Sequence, residues 1–281
     1  MEFLYPDGQR FIPLISDYGF KATFGNESDT LFLRTALQAL TKSSVPIREV
    51  QFEKNAFEAL TPDSRSGIYD LACTDENGNH FLVEMQLAQV PHFLQRMKFY
   101  ALHKFNTLVE RGKFDYAHLP KLYCIAFLEK SILPIASYHS VANLRSESGE
   151  LVDPQMTFIT VELAKFDKPL ADIKTVLEKL IFTMKTLHEA TEPTQYPEFW
   201  DEEWLKRAIE ELDTRRMTPE ERYQFARITA KNAEVVNAEK RRVTDAVKKL
   251  TKLNVLTAEQ IASSLDVPLE VVLNIQNQAE E

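Results

Sequence analysis

The chain of 281 residues is long enough for one large domain, or one domain with an appendage, and its 44% hydrophobic content supports a real core. It has no run of about eighteen apolar residues, which excludes a spanning helix, and the opening MEFLYPDGQRF lacks the basic-then-apolar order of a signal peptide. A net charge of −9 argues against nucleic acid, yet Lys206–Lys252 carries thirteen Lys and Arg against eight Asp and Glu, leaving a basic arm of net +5 on a body of −14.

Cys73 and Cys124 stand alone in apolar stretches and read as reduced core residues of a cytoplasmic protein. The six His show no zinc-ligand spacing, and no G-x-S-x-G, P-loop or dinucleotide fingerprint occurs.

Residues 1–15 read as extended. Ser16 or Asp17 can cap a short helix to about Phe24, with Phe20 and Phe24 on one face. Ser28-Asp29 can cap a second helix to about Lys42. Ile47–Phe52 alternates as a half-buried strand does, and the polar loop TPDSRSG follows, from which Arg65 can reach a phosphate or remain solvated.

The stretch Ser66–Gln86 (SGIYDLACTDENGNHFLVEMQ) organises the rest. Two apolar runs, Ile68–Thr74 and His80–Gln86, flank a turn cluster and predict a β-hairpin. A two-residue Asn77-Gly78 turn would pair Asp70 with Met85; a three-residue loop, Glu76-Asn77-Gly78, would place Asp70 opposite Glu84 with Gln86 on the same face. Asp75 suits the first position of a type I turn and Gly78 the fourth, which favours the second register. Tyr69, Leu71, Cys73, Phe81, Val83 and Met85 then form the core face. The face of Asp70 carries Ile68, Ala72 and Leu82, so it is largely covered too. Opposed carboxylates on a half-buried face are destabilising, and a Mg²⁺ or Mn²⁺ ion between them would remove the conflict. The alternative, from spacing alone, has Asp70 at a wet sheet edge and Glu84 paired with a nearby Lys or Arg.

Pro91 can open a long helix to Arg111, with Gly112 as its stop and Arg96 and Tyr100 four apart on one face. Leu122–Leu128 is a strand buried on both faces, residues 131–153 look irregular, and Met156–Leu163 is another strand. Ile173–His188 is an amphipathic helix with Val176 among its inward residues. This order predicts an α/β fold, a mixed sheet flanked by helices. Residues 191–200 read as a linker or docking segment closing a domain of 1–190, and 201–281 as an all-α C-terminal region. Thr218-Pro219-Glu220-Glu221 is a clean helix start, and that polar helix can run to about Leu253. The end reads as two short helices, Thr257 to Gln260 forming a capping box. The pair is helix-turn-helix-like, but its second helix has no Arg or Lys to read a base edge and suits packing or pairing better.

The hairpin GIYDLACTDENGNHFLVEMQ resembles the core of the PD-(D/E)XK nuclease superfamily, and more closely its recombination-promoting nuclease and putative transposase branch. There the second half-motif commonly reads Glu-hydrophobe-Gln, as Glu84-Met85-Gln86 does. SDYGFKATFGNE resembles that family's opening motif, and RMKFYALHKFNTLVERGKFDYAHLPKLYCIAFLE its next helix and strand; together these cover roughly residues 12 to 190. The resemblance implies a restriction-endonuclease-like core and a Mg-dependent deoxyribonuclease acting in recombination or transposition. Asp70 and Glu84 would be metal ligands and, with Gln86, catalytic residues. Gln86 stands where the superfamily usually has Lys. Arg96 and Tyr100 would contact the scissile phosphate, against a packed Tyr and a surface Arg. Asp17 would add a carboxylate, against an ordinary helix cap. DNA is the implied partner, with no membrane, and cutting both strands favours a homodimer. The competing reading is a catalytically decayed nuclease fold that binds nucleic acid or protein.

Overall fold

Phe11, Ile12 and Leu14 thread through the core. Phe11 bridges Asp213, and the Ile12 amide donates to the Leu212 carbonyl at 2.9 Å. The structure, a computed structural model, describes residues 10–57, 67–86, 92–109, 115–253, 255–265, 267 and 269–277. The expected roles of Arg65, Pro91 and Gly112 fall outside them.

Ser16 caps α1 (Asp17–Thr23), its hydroxyl accepting from the Gly19 amide at 3.0 Å. Asp17 is thus the first helical residue and not the cap. The helix α2 (Leu31–Thr41) starts later than Ser28-Asp29 would suggest. The Asn26 side chain accepts from the Ser28 and Asp29 amides and the Asp29 side chain from the Leu31 amide, each at 3.1 Å, which makes a turn there. The first strand, β1, is only Val50–Phe52. Ahead of it, Gln38 accepts from the Ile47 amide and Glu76 from the Arg48 and Glu49 amides, so side chains satisfy backbone that was expected to pair as strand.

A two-stranded ribbon not anticipated from sequence, β2 (Ala56–Phe57) with β3 (Gly67–Ile68), precedes the hairpin. The hairpin joins β4 (Leu71–Asp75) to β5 (His80–Gln86), with Leu71 opposite Val83 and Thr74 opposite His80. The Gly78 amide donates to the Asp75 carbonyl at 3.0 Å with Gly78 at φ +76°, so the three-residue loop is the one formed. The chain bends at Asp70, which takes Tyr69 off the face of Leu71 and Cys73. Tyr69 packs instead with Ala72 and Leu82, and Ile68, expected to be covered, is 65% exposed.

The sheet has the order β1-β4-β5-β6-β8-β7. Here β6 is Leu122–Leu128, β7 His139–Arg145 and β8 Leu151–Glu162. β6 runs parallel to both β5 and β8, which explains its continuous apolar sequence. The stretch expected to be irregular contains β7, an antiparallel edge strand. Its half-exposed residues (HSVANLR) gave too little apolar signal to be recognised.

The helix α3 (Phe93–Leu108) covers the face of Ala72, Leu82, Cys124 and Ala126. On the other face, Phe24 at the end of α1 meets Phe127 of β6 at 5.3 Å. There α2 packs on α4 (Val176–Thr186) and α5 (Glu203–Leu212). Thr175 and Glu178 close a capping box on α4, leaving Val176 at its first, partly exposed position and not inward. The segment 191–200 is docked: Trp200 is buried and its Nε1 donates to the Thr183 hydroxyl at 2.9 Å.

The chain divides between Met217 and Thr218, later than residue 190, because α5 and the segment before it pack into the sheet unit. The second unit holds α6 (Pro219–Leu253), α7 (Ala258–Leu265) and α8 (Leu269–Asn277) around Val247, Ile261, Val272 and Ile275. Capping boxes open α6 at Thr218 and Glu221 and α7 at Thr257 and Gln260. No described helix is long and apolar enough to cross a membrane.

Candidate active site

The ladder ends at Leu71 opposite Val83, leaving Asp70 at the bend one residue beyond it, where its charge acts on Glu84 of β5. The Met85 amide donates to Asp70 Oδ2 at 2.7 Å, which fixes that carboxylate at the bend. Glu84 is 7% exposed, flanked on its face by Leu82 and by Ala126 of β6, and its Oε1 is buried with no hydrogen-bond partner among the described residues. An orphaned buried carboxylate oxygen is costly, about 1–3 kcal/mol or more for a charged group.

Both acids resist ionisation. Burial, then the neighbouring Asp70 charge, pushes Glu84 up to about 8, with the Arg96 guanidinium opposing. Burial also raises Asp70. The Met85 amide works against that rise, Asp17 adds to it, and Lys21 and Arg96 counter it. A divalent cation would reverse these effects by favouring both charged forms. The donors fit such an ion: two hard carboxylates, one with a free oxygen aimed at no protein group among the described residues. Among the described residues no set of three His, Cys, Asp or Glu lies together where it could hold a metal ion.

Helix α3 brings the next groups. Arg96 Nη2 donates to Gln86 Oε1 at 2.8 Å, and the guanidinium lies 5.2 Å from the Phe93 ring centre and 6.0 Å from that of Tyr100. Tyr100 also meets Tyr69 edge-on at 5.3 Å. Burial, followed by the charge on Glu84, raises the Tyr100 hydroxyl, so the ring shares the electrostatic surroundings of the acids. Asp70, Glu84, Gln86, Arg96 and Tyr100 are thereby brought together. Asp17 is linked to Asp70 through space and to Lys21 by an ion pair of 3.0 Å.

Lys21 was not singled out from sequence. Its signal was the i,i+4 spacing to Asp17 on the helix that faces Asp70. A second polar cluster on this sheet face was also missed. Glu53 accepts from Lys104 and Thr74 and meets His80 Nδ1 at 2.9 Å. Burial acts to raise Glu53, but the hydrogen bonds from His80, Lys104 and Thr74 prevail and hold it at about 2.

A mixed sheet whose central hairpin brings Asp beside Glu-x-Gln beneath an Arg-bearing helix defines a restriction-endonuclease-like protein of the PD-(D/E)XK class. The family described as PD-(D/E)XK nuclease family transposase matches residues 14–240, and the chain belongs to it. The match extends through the sheet unit and into α6. That family carries a nuclease- or transposition-related role, and PD-(D/E)XK nucleases typically use divalent metals. No curated protein and no solved structure matches the chain.

Proposed function

We propose that the protein is a metal-dependent DNA endonuclease that hydrolyses phosphodiester bonds during recombination or transposition. The carrying observation is the neighbouring Asp70 and Glu84 carboxylates, with Glu84 Oε1 buried and unpartnered among the described residues. Asp70 and Glu84 would hold Mg²⁺ or Mn²⁺, which would supply Lewis-acid chemistry toward water and phosphate. Water adds to phosphorus and gives up a proton to solvent, the bond from phosphorus to the departing sugar oxygen breaks, and that oxygen takes up a proton from solvent. Arg96 offers a planar fork to a phosphate oxygen, and the Gln86 amide keeps its N–H donors for water or substrate because its oxygen is engaged by Arg96. Cutting both strands calls for two such sites, so a dimer acts on a duplex.

The basic surface lies in the second unit. Lys240, Arg241, Arg242, Lys248, Lys249 and Lys252 face only Asp245 within thirteen residues of α6, and these cations are exposed where described. This stripe suits the duplex backbone, read as charge and not as sequence.

The test is Mn²⁺ titration by calorimetry alongside cleavage of a labelled duplex by the full chain. One carboxylate-dependent Mn²⁺ site, with cleavage abolished by EDTA and by Asp70→Asn, is the expected result. Duplex binding without cleavage under any divalent metal would support the decayed, binding-only reading.

A further inference from the structure

We propose that Gln86 is a positioning residue that holds Arg96 as the cation of the active site, in place of the lysine the nuclease motif usually has on the strand. The inference rests on the nuclease reading above. Three observations carry it. First, Gln86 Oε1 accepts from Arg96 Nη2 at 2.8 Å, so the strand residue touches the guanidinium directly. Second, Arg96 Nε is buried with no hydrogen-bond partner among the described residues. A guanidinium has five donors in a fixed fork; with Nε enclosed by protein and Nη2 bonded to Gln86, its remaining terminal donors are the ones left to meet a phosphate oxygen. Third, the rings of Phe93 and Tyr100 lie against the guanidinium and limit its rotation, so its open edge is preset.

Geometry also explains why Lys is absent at position 86. A lysine there would remove the acceptor that Arg96 uses and place a second cation at hydrogen-bond distance from the first. Positions 86 and 96 therefore accommodate one cation between them. Restoring the usual motif residue should harm this enzyme unless Arg96 is removed as well.

The experiment uses the full chain in single-turnover cleavage with Mn²⁺, comparing wild type, Gln86→Met, Gln86→Lys, Arg96→Gln and the exchange Gln86→Lys with Arg96→Gln. Thermal melts show which variants fold. Duplex affinity against salt is read in Ca²⁺. Gln86→Met and Arg96→Gln should each slow cleavage about 10–100-fold, and Arg96→Gln should reduce the salt slope by about one. Gln86→Lys should also be slower than wild type, and the exchange should recover at least tenfold over it. Recovery on exchange is what a merely structural role would not give. Gln86→Lys as fast as wild type, an unchanged rate in Gln86→Met, or no recovery in a folded exchange variant would overturn the inference while leaving the nuclease reading intact. Absence of cleavage by the wild type with every metal would overturn both.

Discussion

Glu84 holds its proton through neutral pH because ionising it means placing a charge in an apolar layer beside Asp70. Its pKa in the folded chain, about 8, stands above the ordinary 4.5, so the folded state binds the extra proton. The stability this confers is complete below about pH 4.5 and is lost as pH rises through about 8. Metal-free protein should therefore melt at progressively lower temperature from pH 5 to pH 9, by about 2–4 °C for each kcal/mol of stability removed. Glu84→Gln should flatten that decline, and saturating Mg²⁺ or Mn²⁺ at pH 8 should raise the wild-type melting temperature more than that of Glu84→Gln. Melting curves against pH, with and without metal, check this; equal slopes in wild type and variant would contradict it. At this scale the sequence was partly legible. The three-residue loop and the register of Leu71 opposite Val83 could be read from Asp75 and Gly78. The Gln86–Arg96 bond could not, because the two residues lie ten positions apart on different elements, and their meeting depends on how α3 seats on the sheet.

Among elements, the hairpin turn governs the site. Gly78 at φ +76° has open space where a Cβ would sit, so Gly78→Ala meets only backbone strain. That cost is about 1 kcal/mol, and the melting temperature should fall by about 2–4 °C with metal affinity retained. A loss of metal binding in a folded Gly78→Ala protein would mean that the turn, and with it the register, had slipped. Turn chemistry and continuous apolar runs were the readable features: the hairpin, β6 and the capped starts of α6 and α7 follow from them. The short β1 and the start of α2 were misjudged because Gln38, Glu76, Asn26 and Asp29 side chains compete for backbone amides. The edge strand β7 was missed because half its residues face solvent. The bend at Asp70, which redirects Tyr69 toward α3, has no signature in periodicity.

For the whole molecule, positive charge is concentrated in one stretch of α6. Between Lys206 and Lys252 the entire excess of +5 falls in residues 240–252 of α6; that stretch, and not the net charge of its unit (−1 over residues 218–281), is the proposed source of attraction to DNA. Replacing Arg241, Lys248, Lys249 and Lys252 together by Gln should weaken duplex binding and lower the salt slope by about one for each phosphate no longer neutralised. Cleavage at saturating DNA should stay near the wild-type rate. Anisotropy across a salt series checks the first part; an unchanged slope would remove α6 from the DNA surface. The division after Met217 was not legible, because prolines and a break in periodicity at 190–200 resemble a linker, whereas Trp200 anchors that stretch in the sheet unit.

The most direct test is incubation of supercoiled plasmid with wild type, Asp70→Asn and Glu84→Gln in Mg²⁺, Mn²⁺ or EDTA. Nicked or linear product formed by wild type only with metal, and by neither variant, is the predicted result. Cleavage that survives in both folded variants, or in EDTA, would contradict the assignment of these two carboxylates as the catalytic centre.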